Sequence, residues 1–170
     1  MDHIKITKEL DRNRLVFKDL LSALSKEMYT FKPSPEKWCI LEVVCHLYDE
    51  EREDFRLRTR QVLKNPEKTL PSFDPLTWVN ERNYLEQDYE LMLSNFLKER
   101  EKSIIWLEKL ENPDWKNSYV HPKLGAMSAA IFLANWLAHD YLHLRQITKL
   151  KYDYVQAMTN ENLTYAGTWI

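Results

Sequence analysis

Two histidines four residues apart, His139 and His143, carry the sharpest chemical signal in the chain. On a helix, positions i and i+4 share one face, so both imidazoles can hold one metal ion between them. At about 100° per residue, Phe132, Trp136, His139, His143, Gln146, Ile147 and Leu150 fall in one stripe. Both rings therefore point with the apolar side of that helix. Two core histidines satisfied by hydrogen bonds give the same pattern, so the pair alone does not decide. His46 adds a third ring. Its face carries Glu42, Glu50 and Glu53, while Val43 and Leu47 turn toward the apolar side. That border position suits a residue meeting His139 and His143 across a pair of helices. Three histidines with open positions left over form the ligand set of a catalytic metal site rather than a closed structural one. Glu50, one turn after His46, can steady an imidazole from behind or supply a fourth ligand. A solvated helix acid is the competing reading for it.

Other chemistries fail on spacing. A zincin needs H-E-x-x-H, whereas Asp140 stands where the glutamate would be. A di-iron carboxylate bundle needs two E-x-x-H helices, and none occurs. His139-Asp140 also matches the dyad of HD-type phosphohydrolases, without their further motifs. Cys39 and Cys45 are six apart, which fits neither a zinc ribbon nor a disulfide framework. Cys45 lies about 100° round its helix from His46 and reads as a packed thiol. His121 precedes a proline in a connector, where a surface role or a place at a cleft mouth both fit. His3 is expected in a loose N-terminal stretch, Arg145 lies off the ligand face, and Trp136 is a candidate to line a substrate pocket.

Four long helical patterns must position these residues: 7–28, 40–63, 81–110 (with Thr77 as an alternative start) and 129–150. Pro33 and Pro35 follow the first, and Pro66, Pro71 and Pro75 follow the second. Cys39 is placed to cap the second helix, with Glu42 three residues on as the capping-box acid. Asn112-Pro113 ends the third, and Ser128 caps the fourth. Residues 151–170 are weakly patterned and read as a tail docked on the body. With no repeat or flexible linker, the 170 residues are expected to form a single domain, an all-α four-helix bundle with long connectors.

Composition narrows the function. Twenty-four basic and 26 acidic residues give a net charge of −2, which leaves no basic footprint for nucleic acid. Two glycines exclude a glycine-rich phosphate loop and disfavour hairpin-rich β folds. The most apolar stretch, 129–138, is far short of the ~20 residues a membrane span needs. Unpaired thiols and a charged N-terminus without a signal-peptide pattern point to the cytoplasm.

Three segments then combine. Lys37-Trp38-Cys39-Ile40-Leu41-Glu42-Val43-Val44-Cys45-His46-Leu47 resembles the W-S-x-x-E-x-x-x-H-L segment of the DinB-like superfamily, the YfiT-like metal-dependent hydrolases and thiol transferases. His121-Pro122-Lys123-Leu124-Gly125 continues the resemblance. His139-Asp140-Tyr141-Leu142-His143-Leu144-Arg145-Gln146-Ile147 is similar to the family's H-x-x-x-H-x-x-Q-I. The match runs over residues 5–150. It implies a four-helix bundle of up-down-down-up connectivity. It also implies a divalent metal, zinc or nickel, held by His46, His139 and His143. Many members are homodimers, and some transfer small thiols such as bacillithiol, mycothiol or glutathione. Cys39 departs from the Ser or Thr that commonly caps the second helix.

The expectation is a cytoplasmic enzyme whose three-histidine metal activates a small thiol or water. The activated group would then attack, or hydrolyse, a small electrophilic substrate. No protein nucleophile or general base is identifiable, so a non-catalytic ligand-sensing or dimerisation module is the alternative.

Overall fold

A computed structural model describes residues 2–72 and 74–169; the last residue of the expected tail, Ile170, and the ends of the expected domain, with Phe73, lie outside them. Helix α1, His3–Leu21, is capped by Asp2, whose side chain accepts from the Lys5 amide. The pattern expected to run on to residue 28 breaks here. Ala23 adopts a left-handed φ of 56°, and a five-residue helix α2, Lys26–Thr30, restarts under a Ser25 cap. His3 is not loose; it opens α1 and packs its ring 5.2 Å from Trp115.

The second long pattern is one continuous rod built of three parts. Helix α3 spans Ile40–Asp49, a π-helical turn spans Glu50–Phe55, and helix α4 spans Arg56–Lys64. Cys39 is the N-cap, and its amide donates to Glu42 Oε2 at 2.8 Å. Helix α5, Pro75–Glu81, and a 3₁₀ turn at Tyr84–Glu86 precede helix α6, Tyr89–Glu108. The third pattern therefore starts later than residue 81, behind an Asp88 cap.

A connector then forms an antiparallel hairpin, strands β1, Ser118–His121, and β2, Gly125–Ser128, with His121 opposite Gly125. This hairpin runs against the expectation drawn from scarce glycine. One glycine suffices when it stands where the chain needs φ of +73°. The turn is clipped by His121, whose Nδ1 accepts from the Lys123 and Leu124 amides. Helix α7, Ala129–Thr159, runs nine residues past the expected end at 150 and absorbs half of the expected tail. Among the described residues no helix is long and apolar enough to cross a membrane.

Helix α1 and the α3–α4 rod each pack against α6 and α7, which places the two rods across a four-helix bundle from one another. One core cluster joins Phe17, Val43, Val44, Leu47, Phe96 and Ile147. A second joins Leu10, Phe55, Ile104, Leu107, Leu133 and Trp136. The histidines lie between the rod and α7, where the two clusters meet.

Candidate metal centre

His139 and His143 come from the middle of α7, and His46 from the last turn of α3. The three offer ligand atoms that all lie within 4.8 Å of one another. His46 Nε2 is 3.3 Å from His139 Nε2, and His143 Nε2 is 3.0 Å from the same atom. Ligand atoms bound at ~2.1 Å to a tetrahedral ion sit roughly 3.4 Å apart, so the two spacings about His139 are close to those of a coordination sphere. The sequence placed all three residues, and the fold brings all three together.

Proton bookkeeping supports the fit. His143 Nδ1 lies 2.8 Å from Gln146 Oε1, an acceptor, so Nδ1 carries the proton and Nε2 is left with its lone pair. The helix spacing places Gln146 on the ligand face, and the bond gives it a defined task. A neutral imidazole has one donor and one acceptor. If His139 Nε2 donates to His143, it has no lone pair for His46 and no second proton. The three rings therefore cannot satisfy one another as neutral groups. Nor can they resolve the conflict by charging: burial holds His46 down at about 3 and His139 at about 2. Burial also lowers His143, against the opposing hydrogen bond to Gln146. Three inward-facing lone pairs in a desolvated pocket are the donor set of a divalent cation.

Around this centre, Trp38 leans on His46 with ring centroids 4.9 Å apart, and Phe55 on His139 at 4.8 Å. Phe55 reaches His139 because the π turn widens the rod. At regular α spacing the acids on the His46 face are Glu50 and Glu53; the wide turn instead buries Glu50, Glu51, Asp54 and Phe55. Glu53 stays partly exposed and pairs with Arg52 and Arg82. Single-turn π segments of this kind recur at functional sites. Glu50 lies with Oε1 4.0 Å from His46 Nδ1, too far for a hydrogen bond, and that Nδ1 has no partner among the described residues. Burial pushes the Glu50 and Asp54 carboxyls up, their proximity raises Glu50 further, and Arg58 opposes the shift at Asp54.

A cavity of about 340 Å³ opens beside His139 under the hairpin, lined by Phe55, Met127, Phe132 and Leu142 with Asp54, Arg58 and His121. His121, whose role was open in the sequence, thus clips the hairpin turn and also lines this cavity. Trp136 does not. It is fully buried and donates its indole N–H to Glu51 Oε2 at 2.9 Å. Asp140 belongs to neither a zincin nor an HD dyad: it is fully buried and takes a two-pronged ion pair from Arg100, at 2.7 Å on each oxygen. Neither thiol is available as a nucleophile, since burial pushes Cys39 up to about 11 and Cys45 up to about 12.

The sequence reading missed Arg100, Phe55 and Asp54. A signal for Arg100 exists: it stands at i+4 from Phe96 and i−4 from Ile104, alone among charged residues on the buried stripe of α6. Phe55 and Asp54 left no such signal, because regular helical spacing turns them elsewhere.

Comparison with known proteins agrees with this fold. No curated protein matches the sequence. Among solved structures, YfiT from Bacillus subtilis superposes with a TM-score of 0.77 at 16% identity, over 94% of this chain and 89% of that one. It is described as a probable metal-dependent hydrolase with an unusual four-helix bundle topology. At that identity the likeness establishes the bundle. The family model of the DinB superfamily matches residues 9–147, a span that includes all three histidines, and the chain belongs to that superfamily.

Proposed function

We propose that the protein is a metal-dependent enzyme acting on a small electrophilic molecule, with His46, His139 and His143 as the ligands of a divalent ion, zinc or nickel. The observation that carries this reading is the convergence of three histidine Nε2 atoms, with His139 also lining the hairpin cavity. When bound, such an ion supplies Lewis acidity, enough to ready a small thiol or a water for attack near neutral pH. The chain's own residues do the rest. Gln146 holds the His143 proton on Nδ1 and aims Nε2 inward. Glu50, one turn behind His46 with Oε1 4.0 Å from its Nδ1, would accept a hydrogen bond from Nδ1–H and steady the ring as a ligand. Phe55, Met127, Phe132 and Leu142 give the substrate an apolar seat and exclude water. With both cysteines buried, the attacking group comes from a bound small molecule, either the thiol or water.

The first test is metal content by elemental analysis, on wild type and on a His139→Ala/His143→Ala variant purified alongside. About one ion per chain, lost in the variant while helical circular dichroism persists, is the expected result. Glutathione or bacillithiol consumption with monobromobimane as electrophile then separates thiol transfer from hydrolysis. A wild type that takes up no zinc or nickel on reconstitution overturns the enzyme reading and leaves the helical module.

A further inference from the structure

A second and larger cavity, of about 710 Å³, lies on the other side of Leu142, which lines both. None of the three histidines lines it. It is separated from them by Trp38, which packs on His46, and by Gln146, which holds His143. Its chemistry differs from that of the hairpin cavity. Lys37, Arg145 and Lys149 surround it with Asp153 as the only carboxylate side chain among the described lining residues, so those side chains carry two positive charges in excess. The chain as a whole has a net charge of −2, so this cationic concentration is local. Lys149 is paired with Asp153. The side chains of Lys37 and Arg145 have no ion-pair or hydrogen-bond partner among the described residues, and both residues are exposed. Two indoles complete the walls. Trp38 stands at the inner end, and Trp169 packs against Tyr152 with ring centroids 5.4 Å apart.

We propose that this cavity binds a small organic acid with one or two carboxylates on a flat, partly apolar body. Cations in a concave site raise the local concentration of anions, and the planar guanidinium of Arg145 can take a carboxylate two-pronged. The two indole faces accept a flat group, which inorganic anions lack. The volume is that of a small-molecule site. The acid sits one side chain, Gln146 or Trp38, from the ligating histidines, and so is placed as co-substrate or activator. That placement rests on the proposed metal function. The binding itself does not, since every residue invoked lies outside the ligand set.

The test uses phthalate as probe, with phthalamide as its uncharged counterpart, followed through the indole N–H signals of Trp38 and Trp169 in a proton–nitrogen correlation spectrum. Phthalate is expected to shift both signals and saturate, while phthalamide and inorganic phosphate do not. Arg145→Gln and Lys37→Gln, both at exposed positions, are each expected to weaken phthalate about tenfold, the usual scale for losing one charge-assisted contact. The His139→Ala/His143→Ala variant is expected to bind phthalate as wild type does. Retained binding there, beside a metal-free wild type, would sink the metal reading and leave this one standing. Equal binding of phthalate and phthalamide, no binding of phthalate, or full affinity in the Arg145→Gln and Lys37→Gln variants overturns the proposal.

Discussion

Two buried polar clusters share the same helices and obey opposite rules. His139 and Asp140 are neighbours on α7, and Glu50 and Glu51 are neighbours in the π turn. The inner member of each pair joins Arg100. Its guanidinium bonds both Asp140 oxygens and Glu51 Oε2, while Trp136 and Asn13 add their N–H groups to the same two acids. The other members face the histidine centre, where three Nε2 atoms crowd without enough protons to satisfy them. A cluster in which every charge is paired and one acceptor, Glu51 Oε1, is left over among the described residues holds the bundle together. Acceptors left converging on one another mark a cluster built for something not supplied by the chain.

Breaking the paired cluster should have the largest effect. Arg100→Met leaves the Asp140 and Glu51 carboxylates buried and uncompensated, with an expected loss of about 3–5 kcal/mol. Urea unfolding measures it, and a loss under 1 kcal/mol would show that water reaches these acids. The histidine cluster should behave in the opposite sense. Adding zinc or nickel at a hundred times its dissociation constant should stabilise the wild type by about 2.7 kcal/mol. The same addition to His139→Ala/His143→Ala should change nothing. A comparable gain in that variant would place the metal elsewhere.

Trp136→Phe sharpens the contrast within the paired cluster. It keeps the ring stacked on Phe55 but removes the donor to Glu51, whose Oε1 already has no partner among the described residues. An expected cost of about 1–3 kcal/mol follows from exposing that shortfall. Metal content should remain at the wild-type level, because no ligand is touched.

The pH dependence of the metal-free protein separates the clusters again. His46 and His139 are held well below the ordinary histidine value by burial. Between that ordinary value, near 6.5, and the lowered ones, the unfolded chain binds protons that the native chain refuses. Stability is therefore full above about pH 6.5 and falls as the pH drops, by about 1.4 kcal/mol per pH unit for each proton. His46→Ala should flatten this slope by about one proton. An unchanged slope would assign the acid sensitivity to other groups.

The legibility of the molecule in its sequence follows the same division. His46, His139 and His143 were readable because i, i+4 spacing and the face of an amphipathic helix are local properties. The Ser128 and Cys39 caps were readable for the same reason. The π turn at Glu50–Phe55 was not, because the partners that fit it, Arg100 on α6 and Trp136 on α7, come from distant parts of the chain. The break at Ala23 adopts a backbone angle that alanine seldom takes, so composition pointed the other way. The hairpin escaped because scarcity of glycine was weighed by number, whereas the turn needed one glycine at residue 125.

The smallest expected effect concerns the departure at the second helix cap. Cys39 stands with extended backbone at the N-cap, and its amide bonds Glu42, which also pairs with Lys32. One half of the capping box is thus strong. The other half asks sulfur, a weak acceptor, to take the Glu42 amide. Cys39→Ser supplies a better acceptor at a shorter reach, while losing some apolar burial at a fully enclosed position. The balance expected is a gain of about 0.5 kcal/mol, half the usual worth of a hydroxyl cap. Because α3 carries His46 about two turns later, a firmer start to the helix should tighten metal binding in the same direction. A variant that gains stability without gaining affinity would show that the π turn, and not the cap, sets where His46 points.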